Sequence, residues 1–394
     1  MEGDPALEPF CATARRAYRA VGHPGYVVRL EGHAEAAATR GFAQRGTERH
    51  RLPSTHFRHG PGNLRLSSLG LGTYIGAPDA STDLAVEQAV VLSAESGRVN
   101  VFDTAINYRY QRAERSLGRA LHRLIEAKKA RREELFIATK QGYLAPDAES
   151  ELTSEDWVER ELVRPGILAR RDIVDDVHAM SVSFLSDQFE RSRSNLGLET
   201  VDLLYLHNAP DAQLPHVGRR EFLRRLTEAF ALYERFRADG RLIAYGLATW
   251  DCLRVPRSDA GYLSLEEAVA VAREVGGEHH GLRFIQFPFN LAMPEAAQVR
   301  NQPVAGERRT LFDAAGLLGL GCVSSVPLGQ GQFARVGPSL DGLTPAQTAI
   351  QFARSAPGAL TTLVGQKRPE HLAENLRVAE FPPWGPPEFL RLLA

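Results

Sequence analysis

From about residue 64 onward, short apolar runs take turns with longer helical patterns, and this alternation constrains the fold more than any other feature. Apolar runs at 69–76, 99–105, 135–140, 201–208, 243–249, 283–289, 321–329 and 360–366 read as strands. Each precedes a helical stretch, at 81–96, 113–132, 181–197, 220–240, 264–276, 309–319, 344–356 and 368–379. Strands that are nearly all apolar belong in a parallel sheet covered on both faces. Eight strand–helix units in succession predict a (β/α)8 TIM barrel, since a doubly wound sheet rarely needs so many. Helix starts agree: Ser264 with Glu267 reads as a capping box, and Thr344–Pro345 as an N-cap followed by its first helical residue.

Two segments fall outside the alternation. Residues 1–60 carry much Arg, Gly and Ala with little sustained periodicity, and predict an irregular N-terminal extension ahead of a barrel at 61–394. Residues 144–180 form a long insertion after the third strand. In a barrel that position faces the chemistry, so a lid or substrate wall is expected. Its Arg160, Arg164, Arg170 and Arg171 raise the expectation of an acidic substrate.

A formal charge of −1 gives no electrostatic reason to expect nucleic acid or a membrane surface as partner. No apolar run reaches the ~18–20 residues that span a bilayer. The opening "MEGDPALEPF" lacks the apolar core of a signal peptide. Cys11, Cys252 and Cys322 are too few and too scattered for a disulfide framework or a metal site. A cytoplasmic protein is expected, with a homo-oligomer left open.

Barrel chemistry gathers where strands end. The second strand ends at Asp103, with Tyr108 one loop turn on; the third ends at Lys140 and the fourth at His207. Lysine is scarce here: only Lys128, Lys129, Lys140 and Lys367 stand among 47 basic residues. A phenol with a pKa of ~10 donates a proton poorly near neutrality unless a cation stabilises its phenolate. Lysine supplies a compact ammonium for that purpose, where arginine brings a bulky fork. A buried lysine needs a carboxylate to stay charged, and Asp103 is the candidate. His207 is then placed to orient a substrate oxygen.

The segments carrying these residues resemble the aldo-keto reductase family. "FDTAINYRYQRAERSLGRAL", "FIATK", "VDLLYLHN", "FIQFPFN", "VPLGQG" and "LVGQKRPEHLAENL" match family segments in the right order, between about Leu64 and Ala379. The resemblance implies a catalytic tetrad of Asp103, Tyr108, Lys140 and His207, and a nicotinamide cofactor bound without a Rossmann fold. It implies that Gly72, Thr73 and Tyr74, with Asp103, approach the nicotinamide and ribose. Gln286 matches a carboxamide ligand, and Thr249 keeps one hydroxyl where the family holds the carboxamide with Ser-Asn. Ser325 stands where many members place a stacking aromatic ring, and Pro327, Leu328, Gly329, Gly331 and Gly365 fall in further cofactor-binding segments. Lys367 and Arg368, just before a helix start, suit an adenosine 2′-phosphate, so NADPH is expected over NADH. Residues matching Glu374 and Asn375 hold the adenine in the family. The sequence departs from the pattern at Ala248–Thr249, where Ser-Asn is usual, and at Arg109 and Gln111, which replace glycines flanking the tyrosine loop.

The expected function is an NADPH-dependent carbonyl reductase, or the reverse alcohol dehydrogenase, with Tyr108 as general acid and a small carbonyl or alcohol as substrate. Two alternatives remain at this stage: a nicotinamide-binding regulatory or scaffold subunit, and a barrel lyase or isomerase using Lys140 as a Schiff base.

Overall fold

Every predicted apolar run overlaps a strand in the computed structural model, which describes residues 29–393. Strands Leu69–Gly72, Val101–Asp103, Phe136–Gln141, Val201–His207, Leu242–Ala248, Leu282–Pro288, Gly321–Ser325 and Ala359–Gly365 are the first to eighth barrel strands. They pair in chain order into a closed barrel, each pair parallel, with Gly365 of the eighth opposite Gly72 of the first. The first strand stops at Gly72, short of the expected Gly76, because the backbone leaves the barrel there and exposes Tyr74 and Ile75.

Two apolar layers hold the barrel together. Val101, Phe136, Leu203, Tyr205, Phe284, Val323 and Leu363 fill its interior, while a larger cluster joins the strands' outer faces to the helices. Leu64 and Leu66 join the interior layer from an antiparallel hairpin, Phe57–His59 with Arg65–Ser67. Their neighbours Val101 and Phe136 begin their strands, so the hairpin closes the amino-terminal end of the barrel. Three-residue strands carry too little alternation to be read from sequence, and the hairpin was not expected.

The N-terminal extension also departs from expectation. Residues 1–28 lie outside the described residues, as does Cys11, but Ala36–His50 form an α-helix where irregular chain was expected. Its inner face is Ala38, Thr39, Phe42, Ala43 and Gly46, mostly small residues that give a weak helical signal. Phe42 meets the Phe57 ring edge-on at 6.1 Å, and the Thr39 hydroxyl accepts the Arg65 amide at 3.0 Å.

Of the two expected helix starts, Thr344 forms its capping box with Gln347. Ser264 sits at the N-cap but makes no side-chain cap bond. There the Leu265 amide donates instead to Gln302 Oε1 at 2.9 Å, and Glu267 turns out to Arg219. The insertion holds a short helix, Ser154–Val158, that widens into a π turn over Glu159–Val163 and buries Trp157 and Leu162. Arg160, Arg164 and Arg170 pair with Glu161 or Glu159 on its surface, and Arg171 is exposed. None of these pairings supports an acidic-substrate role. Among the described residues, no helix is long and apolar enough to cross a membrane.

Candidate active site

Asp103 and His207 end their strands, Lys140 stands one residue before the end of the strand between them, and the loop after the second strand brings Tyr108 back over them. Lys140 is fully buried; its ammonium donates to Asp103 Oδ1 and, at 2.9 Å, to the Thr104 carbonyl. Asp103 Oδ2 accepts from Gln286 Nε2 at 2.8 Å. The Lys140 Nζ lies 4.8 Å from the centre of the Tyr108 ring. Burial alone would discharge Lys140, but the Asp103 carboxylate and Tyr108 reverse this and raise its affinity for the proton. Burial raises the Asp103 carboxyl, opposed by Lys140 and Gln286.

For Tyr108 the balance differs from expectation. Burial is the largest influence and raises the phenol above its usual value; the Lys140 charge opposes this without overcoming it. The phenol therefore stays protonated at neutral pH and stands as an acid, with Lys140 positioned to receive the charge left after donation. Its ring meets Tyr74 edge-on at 4.9 Å and His207 at 5.7 Å. His207 is buried, and its Nδ1 has no partner among the described residues. An unpaired lone pair costs less than an unpaired N–H, so the proton belongs on Nε2. Burial, then Lys140, holds this imidazole neutral.

The loop carrying Tyr108 is strained. Arg109, Tyr110 and Gln111 take left-handed φ values of 49°, 54° and 71° in succession, a region that favours glycine. Their neighbours hold them there. Asp83, an acid on the buried stripe of the helix Ala80–Glu95, accepts from Arg109 at 2.5 Å, from Arg112 at 2.7 Å and from Ser116 at 3.1 Å. Gln111 donates to the Ala145 carbonyl at 2.8 Å and accepts from Asn195 at 3.1 Å. Side-chain anchors thus replace glycine at the two departures from the family pattern. Sequence reasoning missed these anchors, although a lone Asp in register with Val86 and Val90 was a usable signal.

The expected cofactor residues are spread over the ends of the first, sixth, seventh and eighth strands and the segments that follow them and the fifth strand. Gly72 and Thr73 leave the first strand, and Thr73 donates through its amide and hydroxyl to the Asp103 carbonyl at 3.1 and 3.2 Å. The Thr249 hydroxyl is engaged with the Gln286 carbonyl at 3.2 Å. Ser325 ends the seventh strand, and Pro327, Leu328, Gly329 and Gly331 follow in a turn. Lys367 reaches the loop after the first strand: a Cβ added at Gly76 would lie 2.8 Å from its Nζ. Arg368 is the N-cap of the helix Pro369–Leu376 and is exposed. Glu374 accepts from the Thr344 hydroxyl at 2.5 Å, and the buried Asn375 Oδ1 has no partner among the described residues.

Three buried histidines, His56, His178 and His207, predict a pH dependence of stability. Burial lowers the pKa of His178 from 6.5 to about 4, with nearby Arg225 adding to the effect, and lowers His56 and His207 well below the usual value. Between pH 6.5 and about 4 the unfolded His178 binds a proton that the folded one does not. Stability is therefore full above that window and falls as the pH drops through it, by up to ~3 kcal/mol for His178 alone. Denaturant titrations at pH 7.5 and 5 check this. Equal unfolding free energies would contradict it.

Fold and site together define a barrel oxidoreductase of the NAD(P)H-dependent type. The chain belongs to the aldo/keto reductase family, whose model matches residues 68–264. Solved structures share the fold at low identity. An aldo-keto reductase from Bacillus halodurans in its holo form is 17% identical with a TM-score of 0.57, over 86% of this chain and 95% of that one. An aldo/keto reductase from Klebsiella pneumoniae in complex with NADP and acetate is 16% identical with a TM-score of 0.56, over 86% and 94%. A glycerol dehydrogenase from Gluconobacter oxydans is 17% identical with a TM-score of 0.57, over 86% and 94%.

Proposed function

We propose that the protein is an NADPH-dependent carbonyl reductase, or works in reverse as an alcohol dehydrogenase, with Tyr108 as the proton donor. The observation that carries this reading is the Lys140 ammonium, held by Asp103 beneath the Tyr108 ring at the barrel mouth. A bound nicotinamide supplies hydride to the carbonyl carbon. The chain's own residues do the rest. Tyr108 gives its phenolic proton to the carbonyl oxygen as charge builds there, and Lys140 stabilises the phenolate that remains. Asp103 keeps Lys140 charged. His207 Nε2–H donates to the same oxygen and fixes its direction. The insertion 144–180 serves as one wall of the substrate site.

The residues present suit an NADP molecule. No side chain among the described residues caps the helix Pro369–Leu376, leaving amides for a phosphate beside Lys367 and Arg368. The orphaned Asn375 oxygen is an acceptor awaiting an amino group, as adenine carries. The solved structure in complex with NADP supports the same choice by analogy. Removing one charge-assisted phosphate contact costs ~1.5–3 kcal/mol. Arg368→Ala is therefore expected to weaken NADPH about tenfold or more and leave NADH nearly unchanged, as read by fluorescence titration. Equal weakening of both cofactors would remove the phosphate role.

The deciding experiment is a panel of small carbonyls and alcohols with NADPH or NADP⁺, followed at the nicotinamide absorbance. Turnover of at least one carbonyl supports the reading. Tight NADPH binding without any turnover would favour a regulatory subunit.

A further inference from the structure

His178 lies at the end of the insertion, 38 residues in sequence from Lys140 by their numbers, yet it packs directly behind His207. The insertion returns to the barrel antiparallel to its own beginning: the Leu144 amide donates to the Val177 carbonyl at 2.7 Å, and Ala179 to Gly142 at 2.9 Å. This step sets His178 against Gly142, where φ is +127° and an added Cβ would lie 2.5 Å from His178 Nε2. Glycine makes room for the ring there.

The imidazole is fully buried and bonded on both nitrogens. Nε2 is 2.9 Å from the His207 carbonyl, which only accepts, so Nε2 carries the proton. Nδ1 then accepts from Gln213 Nε2 at 3.0 Å, and Gln213 Oε1 accepts from Arg225 at 2.8 Å. The Tyr143 ring meets both imidazoles edge-on, His178 at 5.1 Å and His207 at 5.0 Å. The His207 ring has no partner on Nδ1 among the described residues, and the next residue, Asn208, is held at a left-handed φ of 47°. Its orientation therefore depends on its main chain and on packing.

We propose that His178 is a positioning residue: by bonding the His207 carbonyl and backing Tyr143, it sets the plane of the His207 ring and ties the insertion to the site. This rests on the functional reading above. The insertion then does more than wall the pocket; displacing its returning end tilts the group that holds the substrate oxygen.

Two variants separate the bond from the packing. His178→Phe keeps a ring but loses the donor, whereas His178→Gln loses the ring but keeps an amide donor at about the same reach. For His178→Phe, kcat should fall about 10–100-fold, the scale of a misplaced catalytic group, with KM for NADPH and NADPH affinity unchanged. His178→Gln should recover most of that loss. Equal activity of the two variants, whether high or low, overturns the proposal. Nitrogen NMR of labelled histidine in the unmodified protein gives a second reading without any variant or turnover. An Nε2–H tautomer at His178 supports the arrangement, and an Nδ1–H tautomer overturns it. If the unmodified protein reduces no carbonyl, the functional reading fails separately. The His207 ring resonances then judge His178: they must shift in His178→Phe and return in His178→Gln, and unshifted resonances overturn the proposal.

Discussion

Tyr108→Phe is expected to lower carbonyl reduction by at least ~10²–10⁴-fold, the loss typical of removing a general acid, with NADPH affinity little altered. The substitution removes one hydroxyl and keeps the ring that packs against Tyr74 and His207. Lys140→Met should also cut the rate strongly. Burial already raises the phenol, and without the lysine charge nothing offsets it. Lys140→Arg should rescue only in part, because a planar fork does not fit the fully buried place of an ammonium between Asp103 and Thr104. Near-normal turnover by Tyr108→Phe on a verified substrate would move the proton donor elsewhere, with His207 the next candidate.

Asp83→Ala should destabilise the fold by ~3–5 kcal/mol, because it removes the carboxylate paired with the buried Arg109 guanidinium. Asp83 is buried and joins Arg109, Arg112 and Ser116 in one cluster. The Arg109 side chain has almost no solvent access, at 1%. The same cluster holds the left-handed run after Tyr108, so any folded Asp83→Ala protein should also reduce carbonyls more slowly. Denaturant midpoints measure the first effect and turnover the second. A loss below ~1 kcal/mol, the size of an exposed ion pair, would mean that the cluster relaxes to solvent.

Much of the architecture is visible in local text, and the reason is geometric. Apolar runs covered on both faces and amphipathic helices leave repeating patterns, and eight such units leave little choice but a barrel. Because barrel chemistry sits at strand ends, finding the ends of the second, third and fourth strands also found Asp103, Lys140 and His207. Lysine's scarcity marked Lys140 further. The hairpin under the barrel and the helix Ala36–His50 left weak patterns, since their strands are short and their buried residues small.

What only the tertiary structure decided is how those residues are held. Gln111 meets Asn195, Asp83 meets Arg109, and His178 meets His207 across 84, 26 and 29 positions of chain. Such contacts form between elements that the barrel brings together, and no sequence period encodes them. The sequence by itself thus determined which groups stand at the strand ends, because strand periodicity is local. Their tautomers, strain and anchoring are set by neighbours distant in sequence, because a hydrogen bond depends on position in space.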